Sequence, residues 1–192
     1  MTRNAWQGER VRLRAVEPED WEQFHRWESD SGAQQSAWQT SPPRSREASR
    51  QWAREQAQPL GAEHELTLAV ETKDGKLVGS IATRDCDWRN GTFHVGMTLG
   101  RDHWGKGYAS EAFLLLLRYY FDELRYRKAN GRVYDFGRRA IALYERLGFQ
   151  EEGCIRSAFY GGGEYHDVRW FGMTDEEFRE RHGDFRLAAG DE

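Results

Sequence analysis

The stretch GMTLGRDHWGKGYASEAFLLLLRYYF, residues 96–121, constrains the fold more than any other part of the chain. It passes from residues suited to a strand, through a bend with glycines at 100, 105 and 107, into a dense apolar run. That run is interrupted by Arg118 and falls short of the ~20 apolar residues needed to cross a bilayer. It reads as a helix packed in a core. A helix this apolar needs a sheet wide enough to bury it, and the bend needs backbone conformations that glycine adopts freely.

The rest of the chain supplies such a sheet. RVRLRAV alternates Val11, Leu13 and Ala15 with Arg10, Arg12 and Arg14, the two-residue period of a strand with one buried face. EPEDWEQFHRWES brings Pro18 and acidic residues suited to a first helical turn, with Trp21, Phe24 and Trp27 on its buried side. The polar stretch 29–45 reads as a loop, and a second helix is expected at about 44–58. ELTLAVET and LVGSIATRD flank Asp74-Gly75, a hairpin turn because this pair tolerates positive φ. TFHVGMTLG follows Asn90-Gly91 as another strand, and the apolar helix is expected over roughly 107–124. KANGRVYDF reads as a strand, and RRAIALYERLGF as a helix closed by Gly148. Two final strands surround Gly161-Gly162-Gly163, and the charged tail from Asp175 reads as a short helix fraying into disorder after about residue 182. The order implies a mixed α/β fold around one sheet, as one domain over residues 1–192.

Acidic residues (32) outnumber basic ones (28), a mild imbalance that argues against nucleic acid as a partner. Cys86 and Cys154 have no metal-ligand spacing and make no disulfide framework. With no apolar signal segment at the start, this points to a reduced, cytoplasmic setting without membrane attachment.

The bend admits three readings. Gly100, four residues, then Gly105-Lys106 reproduces most of the triphosphate-binding pattern, but Gly107 stands where that pattern needs a hydroxyl for Mg²⁺. The neighbouring hairpins also suggest antiparallel strands, where such a loop expects parallel ones. Glycines before a helix commonly do no more than turn the chain. The third reading is a metal-free seat for a diphosphate. Gly105 and Gly107 let the main chain approach the ligand, N–H groups point at it from the positive end of the next helix, and Lys106 adds charge.

WGKGYASEA followed by AIALYERLGF, between VRLRAVEPED and DVRWFGMTDEEF, resembles the GNAT superfamily of acyl-coenzyme-A-dependent N-acetyltransferases. The likeness is to the type that acetylates the N-terminal alanine of ribosomal proteins, and to its polyamine-acetylating relatives. It implies an α/β (α+β) domain with a mixed, mostly antiparallel sheet of six to seven strands. Helices would cover both faces, and a central strand pair would splay. The co-substrate implied is acetyl-coenzyme A, with no metal, and the acceptor is the amine of a small molecule or peptide. Exposed aromatic residues are compatible with a homodimer.

Residue by residue, the resemblance implies that Met97, Thr98 and Leu99 pair with the pantetheine arm. Trp104, Gly105, Lys106, Gly107, Tyr108 and Ala109 would hold the pyrophosphate. The N–H of Met97 or Thr98 would polarise the thioester carbonyl. Tyr144 would give a proton to the departing thiolate, since a phenol of pKa about 10 is protonated at neutral pH. His94 stands where relatives often carry a glutamate base and has an ordinary pKa of about 6.5; Glu111 and Asp135 are alternatives. Two positions depart from the family pattern: Asp102 replaces Gln or Arg, and Gly137 replaces an Asn that bonds the cofactor or helix end. Arg138 or Arg139 would compensate by contacting a phosphate. For the acceptor, Glu28, Asp30, Glu164 and Asp167 would attract a cation, with Trp38, Phe159, Tyr160 and Tyr165 packing its stem. A catalytically silent sensor of acyl-coenzyme A is the alternative reading.

Overall fold

Alternating apolar and basic residues build one edge of the sheet. In β1 (Val11–Ala15), Val11 and Leu13 are buried, which puts Arg12 and Arg14 on the opposite face. There both guanidinium groups bond Glu71 of β2 (Thr67–Thr72), and Arg14 also holds Asp20 at 2.7 Å. The computed structural model describes residues 4–30, 41–58, 65–183 and 185. Its strands form one mixed sheet in the order β1-β2-β3-β4-β5-β7-β6.

Turn chemistry sets the hairpins. Gly75, at φ +81°, joins β2 to β3 (Leu77–Asp87), and Gly91, at φ +67°, joins β3 to β4 (Thr92–Leu99). β5 (Lys128–Tyr134) lies parallel to β4, then pairs antiparallel with β7 (Glu164–Thr174), whose other neighbour is β6 (Gln150–Gly161). The β4–β5 pairing is short: Thr92 with Lys128, Phe93 with Ala129, His94 with Asn130. Beyond His94 the two strands part, while β4 stays paired to β3 through Leu99. The expected splay is there.

Helices cover both faces. α1 (Trp21–Glu28) and α2 (Arg46–Gln56), the latter capped by Ser45, gather Phe24, Trp27 and Trp52 around Val16 and Ala69. α3 (Tyr108–Arg118) and α4 (Arg138–Leu147) pack on the other face with Phe113, Leu115, Leu116, Leu117, Tyr144 and Leu147. α5 (Asp175–His182), opened by a Thr174–Glu177 capping box, adds Phe178 to that core. The apolar helix does not run regularly to residue 124. It passes at Tyr119–Glu123 into a π turn, a widening that changes which side chains face inward. Tyr120 then stacks on Phe93 at 4.2 Å, and its hydroxyl meets Thr83 Oγ1 at 2.6 Å.

Past α5 the chain stays docked at residue 185, where Arg118 donates to the Phe185 carbonyl at 3.0 Å. The expected fray beyond falls on residues outside those described. Residues 150–158 of β6 are exposed on both faces, with Ile155, Tyr160 and Tyr165 the large apolar side chains in contact with solvent there. No helix among the described residues is long and apolar enough to cross a membrane.

Candidate active site

Where β4 leaves β5, the direction of each peptide group can be read from its partners. Gly100 N–H donates to the Val78 carbonyl on the β3 side at 3.0 Å. The Phe93 carbonyl accepts from Asn130 Nδ2 at 3.3 Å, and the Val95 carbonyl from the Tyr144 hydroxyl at 2.8 Å, both on the β5 side. Successive peptide groups of a strand alternate sides. The main chains of Val95, Met97 and Leu99 therefore turn into the gap, and that of Thr98 turns to Ser80 of β3. Of the three residues expected to line the gap with their backbones, Thr98 does not. The Leu99 carbonyl already accepts from Trp104 Nε1 at 3.0 Å, so the N–H of Met97 lies centrally in the gap.

Tyr144 enters from α4. Its ring stacks on Phe171 (5.5 Å, 12°) and meets Phe113 and Phe149 edge-on. A Cβ at Gly131 of β5 would overlap this ring. Gly131, which weakens the strand locally, is what lets the phenol come down onto the sheet. Full burial pushes the Tyr144 pKa above its ordinary value, so the hydroxyl keeps its proton.

The bend behaves as its glycines suggest. Gly105 and Gly107 sit at φ +75° and +82°, a region costly for other residues. The N–H groups of Tyr108, Ala109 and Ser110 occupy the first turn of α3, where a helix has no internal acceptors. They line a cavity of about 710 Å³ together with Leu99, Lys106, Arg10, Arg146 and Phe185. Three cations at an open helix N-terminus suit a diphosphate. Arg10, Arg146 and Phe185 escaped sequence reasoning because they come from three distant segments. Asp102 is exposed and does not line the cavity.

Glu111 also borders the cavity, but its carboxylate is committed. It accepts the N–H groups of Glu9, Arg10 and Val11 at 2.8, 2.8 and 2.7 Å. Gly8 is glycine for the same reason, because a Cβ there would overlap that carboxylate. Glu111 anchors β1 and is not placed to act as a base. Asp135 is likewise occupied, accepting from Asp167 N–H and facing His166 Nδ1, each at 3.2 Å.

At the far end of the gap, Gly137 is the buried N-cap of α4. A Cβ there would lie 2.8 Å from Val133 Cγ1, so the Asn of the family pattern does not fit and only main chain is offered. Arg139, in the first turn of α4, lies 4.3 Å over the Trp104 ring and bridges the two walls.

His94 occupies the opposite face of the sheet from Tyr144. Half-buried, it meets Trp170 edge-on at 5.3 Å. Desolvation lowers its pKa; Asp85 opposes the shift and Arg132 adds to it. The indole Nε1 of Trp170 is buried and has no hydrogen-bond partner among the described residues. The acids expected to attract an acceptor are spoken for: Glu28 pairs with Arg44 (3.0 Å) and Asp30 with Arg101 (2.8 Å). Asp167 accepts from Ser157 N–H at 2.8 Å, and Glu164 lies 3.7 Å from His166. Phe159 stacks on Tyr134, Tyr160 meets Tyr165 at a tilt of 58°, and Trp38 lies outside the described residues. Among the described residues no group of His, Cys, Asp and Glu converges as a metal site.

The family model described as "Acetyltransferase (GNAT) domain" matches residues 10–150. The chain belongs to the GNAT acetyltransferases. It is 40% identical over 178 residues to the SPbeta prophage-derived uncharacterized N-acetyltransferase YokL of Bacillus subtilis, covering 93% of this chain and 97% of that one. It is 32% identical over 101 residues, 52% of this chain and 55% of the other, to the ribosomal-protein-serine acetyltransferase of Escherichia coli. The structure of the Vibrio cholerae spermidine N-acetyltransferase in complex with CoA and spermine shares the fold. Its TM-score is 0.77 at 24% identity, over 88% of this chain and 97% of that one. This GNAT chain is thus an N-acetyltransferase of a family that uses acetyl-coenzyme A.

Proposed function

We propose that this GNAT enzyme transfers acetyl from acetyl-coenzyme A to a primary amine by direct attack, with Tyr144 as proton donor and His94 as base. The observation that carries the reading is the Tyr144 hydroxyl on the Val95 carbonyl, at the point where β4 and β5 part. Acetyl-coenzyme A supplies a thioester whose carbonyl is open to an amine and whose thiolate leaves. The bend from Trp104 to Ser110, with Arg10, Lys106 and Arg146, holds the pyrophosphate, and Arg139 contacts a phosphate. The main chains of Met97 and Leu99 align the pantetheine arm as a neighbouring strand would. The Met97 N–H then donates to the oxygen as charge builds on it. The buried phenol holds its proton against solvent and shares it with sulfur as that atom becomes anionic in the same dry gap. From the other face, His94 takes the proton of the attacking ammonium. Burial keeps it neutral, hence able to accept, further into acid than an exposed histidine.

The relatives' names mention a ribosomal-protein serine and spermidine, so peptide and small-molecule amines both belong to the class. Release of free thiol from acetyl-coenzyme A across a panel of amines tests the assignment. Release with none of them, despite thermal stabilisation by the cofactor, overturns it. Tyr144→Phe is expected to lower kcat by about 10²–10⁴ while cofactor binding persists. Unchanged turnover removes Tyr144 from the chemistry.

A further inference from the structure

The mouth of the gap on the His94 face carries a cation that has no partner among the described residues. β4 and β5 run parallel with His94 opposite Asn130. Two residues further along β5, Arg132 is therefore level with Gly96 and on the same face as His94 and Asn130. Across the other edge of β5 it stands directly opposite Trp170. Arg132 is exposed and makes no hydrogen bond or ion pair among the described residues. Gly96 leaves the floor between them bare, for no atom of the described residues beyond its chain neighbours lies within 4 Å of where a Cβ would be. An acceptor reaching the Met97 N–H from this side passes over Gly96, with His94 behind it and Arg132 at its flank.

Among the described residues, the negative charge that a second ammonium would need is committed elsewhere. Glu28 and Asp30 are paired as described, and Glu152 holds Lys128 at 2.7 Å. Asp85 is the acid whose charge reaches His94. It sits in the β3 bulge between Arg84, opposite His94, and Asp87, opposite Thr92, hence past His94 on the side away from the gap. Beside the reacting nitrogen, then, the local charge is positive. A guanidinium in that position repels a neighbouring ammonium and offers paired donors to a carboxylate.

We infer that the acceptor is a small amine bearing a carboxylate within a few bonds of its nitrogen, an amino-acid-type molecule, with Arg132 receiving the carboxylate while the amine is presented beside His94. This rests on the acetyl-transfer reading above and names its substrate class. The test compares kcat/KM for matched pairs, each an amino acid and its carboxamide, with spermidine alongside, in the full chain and in Arg132→Gln and Arg132→Lys. The double comparison cancels differences in amine basicity within each pair.

The expected result is that the acid-to-amide ratio falls at least tenfold in Arg132→Gln and is partly kept in Arg132→Lys. The cofactor-induced rise in Tm should be the same in all three proteins, and turnover of the amides, which Arg132 touches only through its charge on His94, should change far less than the ratio does. An unchanged ratio in Arg132→Gln, or a wild type that prefers spermidine to every carboxylate-bearing amine, overturns the inference. Thiol release from the amides or spermidine in that case leaves acetyl transfer standing. Absence of release with every amine removes acetyl transfer, and this inference with it.

Discussion

The two faces of the sheet, compared where β4 and β5 separate, differ in how much of their chemistry is already satisfied. On the α3–α4 face, Tyr144 is enclosed by Phe113, Phe149 and Phe171, and its hydroxyl has an acceptor. Close packing of this kind fixes a group to one position. On the other face, among the described residues, His94 touches one ring, Gly96 presents bare backbone, Arg132 has no counter-charge and the Trp170 N–H has no acceptor. A buried donor left unpaired costs about 1–3 kcal/mol, a cost that a folded chain keeps where an outside molecule completes the contacts. One face is finished by folding, and the other waits for its acceptor.

That contrast can be broken from the finished side first. Gly131→Ala places a methyl group where the Tyr144 ring lies. The ring must shift, and a displacement of about 1 Å costs on the order of 10²-fold in kcat. The accompanying overpacking lowers stability by about 1–3 kcal/mol. A variant that keeps both Tm and kcat would show the ring to be less confined than its packing implies. The open side should respond more mildly. His94→Gln is expected to lose about tenfold in kcat/KM, roughly 1.4 kcal/mol on the barrier. The informative measurement is the pH profile: wild type should lose activity toward acid with a midpoint below the ordinary histidine value of about 6.5, and the variant should lack that limb. A limb that persists in His94→Gln assigns the base elsewhere.

The smallest expected effect is on stability. His94 and His103 both have pKa values lowered in the fold, in each case chiefly by burial. The unfolded chain therefore binds protons at these sites before the folded one does. Their contribution is fully present above about pH 6.5 and is lost as pH falls toward the folded-state values. Thermal denaturation should show a modest drop in Tm from pH 7.5 to 5.5, part of which His94→Gln abolishes. A rising Tm over that interval contradicts the burial of these rings.

What was legible in the sequence was local. Gly75, Gly91, Gly105, Gly107 and Gly148 read as turn, bend or cap positions, and each adopts a positive φ. Period-two alternation in β1 correctly marks Val11 and Leu13 as buried, while Ala15, expected on the same face, is exposed at the strand end. The parts that escaped depend on partners far away in the chain. Glu111 reads as a first-turn acid complementing a helix dipole, and its three acceptor bonds to residues 9–11 become visible only once β1 lies beside α3. Thr98 and Met97 are equivalent as a string, and only the hydrogen bonds on either side of β4 separate them. The same holds for Arg132, which reads as an ordinary strand-surface arginine until the register sets it beside Gly96.

The grip of Glu111 has a mechanical consequence. One carboxylate, a single turn past the glycine bend, sutures that bend to the opening segment of the chain, which Trp6 in turn clamps through its carbonyl to Leu13 and its ring to Tyr119. The edge strand β1 and the glycine bend are consequently tied together. A peptide spliced in just ahead of Trp6 would pull on that bend rather than hang from an idle margin.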